Sequence, residues 1–130
     1  YFTGGHGVIW DFPDNEALQA ISRKIYENGG YVSSVCHGAA GLLNIRLSNG
    51  TLLIKGKKLT GFSNEEEQLA KLDQYVPFLT ETELINRGAL YQKATKPWSV
   101  FAVEDNRLIT GQNPASGGAV AELLLKALRQ

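Results

Sequence analysis

The sequence predicts an α/β domain built on an open, mostly parallel sheet, and three observations carry that prediction. Tyr31–Val35 is a short apolar and β-branched run of the kind that forms a buried strand. A helical stretch separates it from a strand-like start at Tyr1–Thr3, and strand, helix, strand in that order places the two strands parallel. Three strand-like segments also run into polar or glycine-rich loops, at Gly4–Gly7, at Cys36 and at Gly111–Ser116. In open α/β sheets the ligand crevice lies beyond the carboxyl ends of the strands, so these loops are expected to converge on one side.

The totals bound the class. A chain of 130 residues is one domain's worth, long enough for a single sizeable core, and no repeat, low-complexity tract or linker divides it. Its composition, 43% hydrophobic and 20% charged, is that of an ordinary globular protein. Thirteen basic residues balance thirteen acidic ones, so no net field exists to recruit nucleic acid or an anionic membrane. No apolar run approaches the ~20 residues of a membrane span. One cysteine cannot staple the domain, which fits a reducing cytoplasm. Asn49-Gly50-Thr51 spells a glycosylation sequon but reads as a chance match in a turn. The chain holds no Met, and Tyr1–Thr3 reads as the tail of a strand already under way, the pattern of a fragment, a processed subunit or one piece of a nicked protein.

Each element has a local reason. In Gly4-Gly5-His6-Gly7 the glycines let backbone approach a ligand and aim N–H groups at it, although the run lacks the spacing of a dinucleotide site. Val8–Phe12 is apolar and aromatic, suited to covering the same edge. A helix is predicted over about 14–28, capped by Asp14 or Asn15, striped by Leu18, Ile21, Ile25 and Ala17, and stopped by Gly29-Gly30. After Tyr31–Val35 a short helix covers about 37–44, and Ser48-Asn49-Gly50 turns the chain. Thr51–Ile54 and Lys57–Phe62 read as a hairpin or two short strands. Ser63 with Glu66 has the capping-box pattern and opens a helix to about Tyr75, with Leu69 and Leu72 turned inward. The pattern recurs at Thr80–Glu83 before a short helix that Gly88 ends. Ala89–Ala94, Val100–Val103 and Arg107–Thr110 read as strands, the last two joined by a turn at Glu104-Asp105-Asn106. The final helix starts at Ala115 or Ser116 and reaches about Arg129, its apolar face being Val120, Leu123, Leu124, Ala127 and Leu128.

The candidate chemistry centres on YVSSVCHGAAGLL, Tyr31–Leu43. Strand, Cys36 and small-residue helix follow one another as in a nucleophile elbow, with Ser34 and Gly38 at the two flanking positions where G-x-S-x-G demands small residues. A sharp turn there presents the sulfur at a helix start, where the dipole is expected to favour a thiolate. A lone cysteine is otherwise a small buried hydrophobe. A cysteine nucleophile needs a base and the base an orienting acid. Only His6 and His37 offer an imidazole, and Glu65, Glu66 and Glu67 are the clustered acids, between which spacing alone does not choose. First-turn acids that cap a helix are the plainer account of all three. No histidine follows His37, which argues against the triad of glutamine amidotransferases and its downstream H-x-E. A zinc site from Cys36, His37 and His6 is possible on ligand type, but adjacent ligands without metal spacing argue against it.

GGHGVIWDFPDNEAL, VCHGAAGLL, LTGFSNEEE and TGQNPAS together, in this order and over essentially the whole chain, resemble the ThiJ/PfpI superfamily, and within it the branch of heat-shock chaperones and glutathione-independent glyoxalase III enzymes. The resemblance implies a flavodoxin-like, doubly wound α/β fold, usually dimeric. It makes residues 1–130 the C-terminal major part of a single domain, lacking N-terminal strands and helices. It implies Cys36 as nucleophile, His37 as proton-transfer partner and Glu67 as the acid that orients His37. Gly5 and the His37 N–H would form the oxyanion site, with His6, Trp98 and Asn113 lining the pocket and no cofactor or metal. The family's first strand leads to a glutamate that contacts the cysteine, so the resemblance also implies a missing N-terminal segment, which a separate chain would supply. The implied reaction converts a small reactive 2-oxoaldehyde such as methylglyoxal to a 2-hydroxy acid through a Cys36 hemithioacetal. A cysteine peptidase or amidase, and a non-catalytic stress chaperone or redox sensor, are the alternatives.

Overall fold

The computed structural model describes residues 1–129. Its elements are α1 (Val8–Asp11), α2 (Glu16–Glu27), β1 (Val32–Val35), a 3-10 helix (Cys36–Leu42), β2 (Lys58–Leu59), α3 (Asn64–Leu69), α4 (Thr80–Asn86), β3 (Leu90–Tyr91), β4 (Ala102–Asp105), β5 (Leu108–Gly111), a second 3-10 turn (Pro114–Ser116) and α5 (Gly117–Leu128). β5 lies between β1 and β4. It runs parallel to β1, with Val32 opposite Leu108 and Val35 opposite Gly111, and antiparallel to β4. Phe2 adds a parallel bridge to Ser34 on the free side of β1. The result is the expected α/β arrangement around a mostly parallel sheet. The parallel register brings the ends of β1 and β5 to one edge, where the chain after Phe2 joins them.

The core explains the elements. Leu42, Leu43, Ile45, Leu53, Ile54, Leu59, Leu84 and Leu108 are all at most 1% exposed and form one cluster with Phe2, Tyr26 and Val32. At ~1.5–3 kcal/mol for each large apolar side chain buried, this cluster is the main favourable term of the fold. Asn15 caps α2 by accepting from the Leu18 N–H. Ser63 and Glu66 form the full capping box of α3. Among the described residues no helix is long and apolar enough to cross a membrane.

Several local expectations change. Val8–Phe12 is helical over Val8–Asp11, because the loop carbonyls of Gly5, His6 and Gly7 accept the N–H groups of Val8, Ile9 and Trp10. The α2 stripe is rotated: Ser22 and Tyr26 are buried while Ile21 and Ile25 are 56% and 44% exposed, lining a shallow groove with Tyr1, Phe2 and Phe12. The hairpin at 51–62 does not form. Leu53 and Ile54 are both buried although neighbours in sequence, which alternation along a strand cannot give. Leu52 instead bridges Arg46, and β2 pairs parallel with β3. α3 stops at Leu69 and not near Tyr75, since Lys71 adopts φ 62°, outside helical space. The β4–β5 connection is the two-residue turn Asn106-Arg107, with Asn106 at φ 54°. At the far end of α5, Leu128 is 63% exposed and outside the core.

Candidate active site

The elbow is held by close packing. β1 delivers Cys36 at φ 60°, a left-handed conformation costing a residue with a Cβ on the order of 1–2 kcal/mol. Packing holds it there, since every residue of the 3-10 helix from Cys36 to Leu42 is buried. Gly38 is obligatory in that packing. A Cβ there would lie 2.3 Å from the Phe2 carbonyl oxygen and 2.5 Å from that of Thr3. Adjacent residues diverge on a regular helix. The left-handed step at Cys36 instead leaves its Sγ 3.4 Å from Nδ1 of the following His37.

A line of contacts runs on from the sulfur. His37 Nε2 is 2.6 Å from Glu67 Oε2, so Nε2 carries the proton that the carboxylate accepts, and Nδ1 is left to accept from the thiol. Backbone N–H groups of His37 and Gly5 are directed at the sulfur, the geometry of donors for an oxyanion that forms beside it. Gly5 reaches this position at φ 111°, open in practice to glycine alone. His6 Nε2 lies 2.6 Å from the other oxygen of Glu67, and its ring centroid is 3.9 Å from that of His37. Phe62 packs on His37 at 4.1 Å, and Trp98 stands edge-on to Phe62 at 5.6 Å. His37 and Glu67 are each 1% exposed, whereas the His6 side chain is 33% exposed, so the site meets solvent past His6.

Burial sets the charge state. It pushes the Cys36 thiol up to about 11, a rise that Glu66 and Glu67 reinforce and that the N–H groups of His37 and Gly5 only partly offset. The thiolate expected at the helix start is therefore replaced by a thiol, because burial dehydrates the sulfur more than the two N–H groups compensate. Burial also pulls His37 below the ordinary histidine range, against the opposing pull of Glu67. Near neutral pH the resting pair is thus thiol and neutral imidazole.

The three glutamates separate by position. Glu65 is exposed. Glu67 faces the two histidines. Glu66 is fully buried and accepts from Ser63, from the Trp98 N–H, from Gln112 Nε2 and from Asn113 Nδ2. Burial raises its carboxyl, but these hydrogen bonds outweigh that and leave it below the ordinary range. Glu66 therefore ties the Trp98 loop and the loop after β5 to the start of α3. The third predicted loop thus converges on Glu66 and not on the sulfur. Asn113 is fully buried, its amide committed to Glu66, Ser99 and Ser116, so it supports the wall. Trp98 is 43% exposed at φ 68° and presents its ring toward Phe62. Phe62 and Gln112 were not singled out by sequence. The signal that could mark Phe62 is its place as an aromatic directly before a capping serine.

One donor atom from each of His6, His37 and Glu67 falls within 4.8 Å of the others, the residue types of a transition-metal site. The fit to a metal is poor. Zinc at about 2.1 Å from each of its tetrahedral donors needs them roughly 3.4 Å apart, and the two histidine–carboxylate separations are 2.6 Å, hydrogen-bond distances.

Comparison with known proteins gives the family of the chain. The model of the DJ-1/PfpI family matches residues 2–127. "Glyoxalase 3" of Candida albicans is 38% identical over 130 residues, covering 96% of this chain and 55% of that protein. "Glutathione-independent glyoxalase HSP31" of Saccharomyces cerevisiae is 36% identical over 136 residues, covering 99% of this chain and 56% of that protein. The crystal structure of glyoxalase III from Candida albicans superimposes with a TM-score of 0.87 at 35% identity, over 98% of this chain and 57% of that one. The chain thus spans little more than half the length of these relatives. With its strand, left-handed cysteine and buried 3-10 helix in the matched region, the chain belongs to the DJ-1/PfpI family.

Proposed function

We propose that this chain carries the nucleophile, base and orienting acid of a glutathione-independent glyoxalase, converting a 2-oxoaldehyde such as methylglyoxal to a 2-hydroxy acid. The observation that carries the reading is the line Cys36 Sγ, His37, Glu67, with Nδ1 turned to the sulfur at 3.4 Å and Nε2 held at 2.6 Å. Relatives of the same family named as glyoxalases supply the substrate class.

The chemistry balances without a redox cofactor. Cys36 Sγ adds to the aldehyde carbon while its proton passes to His37 Nδ1, and the Gly5 and His37 N–H groups stabilise the oxyanion of the hemithioacetal. The aldehyde C–H is then lost as a proton and a proton is returned to the neighbouring carbon, while His37 passes the proton it took from the thiol to the ketone oxygen; this moves the oxidation level along the substrate and leaves a 2-hydroxy thioester on Cys36 and a neutral His37. His37 takes a proton from water as water attacks the thioester, and the 2-hydroxy acid and free thiol are released. Substrate plus one water equals product. The reading includes a glutamate beside the sulfur, supplied by a segment N-terminal to residue 1 in the same or another chain, as the second proton carrier. It also includes a cytoplasmic homodimer, with His6 and Trp98 at the substrate.

The test is formation of 2-hydroxy acid from methylglyoxal by wild type and Cys36→Ala. The reading predicts product with wild type and none above background with the variant. Equal rates for the two would overturn it. Loss of turnover with retained suppression of client aggregation would add a chaperone role beside the enzyme.

A further inference from the structure

His6 does more than line a pocket. Both oxygens of Glu67 are committed, each at 2.6 Å to an imidazole Nε2, Oε1 to His6 and Oε2 to His37. The terminal torsion of a glutamate is broad and nearly two-fold, so one donor leaves its carboxylate free to swing. Glu67 also sits on a helix of only six residues. A second donor on the opposite oxygen removes that freedom.

His6 is itself held well enough to act as such a fixed point. Its carbonyl accepts the Ile9 N–H at 3.1 Å, and Ile9 is 1% exposed. Its ring lies against His37 at 3.9 Å and edge-on to Phe62 at 5.8 Å. A residue that served only as wall would need the ring and not the donor.

We infer that His6 is a positioning residue of the triad, donating from Nε2 to Glu67 Oε1 so that Oε2 stays in line with His37 and Nδ1 of His37 stays turned to Cys36. The inference rests on the proposed function for its turnover readout alone.

Three variants separate donor from ring. His6→Gln keeps an N–H donor of similar reach and loses the ring. His6→Phe keeps an aromatic ring and loses the donor. His6→Ala removes both without adding bulk, at a position open enough to tolerate it. Two readouts are taken on each: kcat and KM for methylglyoxal, and the rate of Cys36 alkylation by iodoacetamide, which needs no substrate. Misplacing a catalytic group by ~1 Å costs about 10²-fold. Accordingly His6→Phe and His6→Ala should each lower kcat by about 10- to 100-fold with KM within about twofold of wild type, and slow alkylation in parallel. His6→Gln should recover most of both. Equal losses in His6→Gln and His6→Phe, or a change confined to KM, would show a wall residue and overturn the inference. If wild type forms no 2-hydroxy acid, the glyoxalase reading fails, and the alkylation rates still decide the role of His6.

Discussion

Glu67→Gln tests how the site sets the tautomer of His37. In wild type the carboxylate accepts from His37 and from His6, each at 2.6 Å. A glutamine has one accepting end and one donating end. If its oxygen stays on His37, its amide N–H must face His6, which answers by switching to the tautomer with a free Nε2. His6 is partly exposed, so that switch costs little. In this arrangement His37 keeps its tautomer and loses only the facing charge that stabilises the imidazolium. If the amide turns the other way, His37 Nε2 must accept, its proton moves to Nδ1, and the thiol loses its base. The second outcome resembles the loss in a serine-protease triad, about 10⁴-fold. Because His6 permits the first, the expected loss in kcat for methylglyoxal is smaller, about 10²–10³-fold, or roughly 3–4 kcal/mol of transition-state stabilisation. Glu65→Gln, at an exposed position on the same helix turn, should stay within about twofold of wild type. Similar rates for the two variants, with both folded, would refute the role of Glu67.

Three further outcomes follow from packing and charge. Gly38→Ala drives a methyl into the carbonyls of Phe2 and Thr3 and should cost roughly 1–3 kcal/mol; differential scanning calorimetry should show Tm falling by roughly 3–15 °C, and an unchanged Tm would refute the close approach. The thiol is raised in the folded state, so its protonated form stabilises the fold below the unfolded value, and that contribution is lost as pH rises from 9.0 through about 11. Over that range wild type should lose up to roughly 3 kcal/mol more than Cys36→Ala in denaturant titrations; parallel curves would contradict the buried thiol. Glu66→Gln turns a hydrogen-bonded carboxylate into an amide facing the donors of Trp98, Gln112 and Asn113, and should cost about 3 kcal/mol. It should also shift the emission of Trp98 in a Trp10→Phe background, and unchanged emission would refute the tie between Glu66 and the Trp98 loop.

What could be read from sequence was local or topological. The strand before Cys36, the small residues after it and the Ser63–Glu66 cap each follow from neighbours in the chain, and the structure forms all of them. That the loops after Phe2, β1 and β5 share an edge follows from parallel topology. Less accessible were features fixed by contacts distant in sequence. His6 and Glu67 are 61 residues apart, and no pattern announces that one carboxylate bridges two imidazoles. The division of labour between Glu66 and Glu67 depends on which side of a six-residue helix faces the elbow, which caps cannot show. Ile21 and Ile25 fitted a helical stripe, yet the covered face runs through Ser22 and Tyr26. The charge state of Cys36 departs from expectation for a related reason: a helix start is visible in sequence order, but dehydration of a sulfur by packing is not.

The central claim is that Cys36 bonds covalently to the 2-oxoaldehyde during turnover. The most direct test is mass spectrometry of protein quenched while methylglyoxal is being consumed, with the modified peptide mapped. The account predicts one added methylglyoxal mass on the peptide containing Cys36, disappearing as substrate is exhausted and absent from Cys36→Ala. Turnover with Cys36 unmodified, or with adducts on lysine and arginine side chains alone, would contradict it.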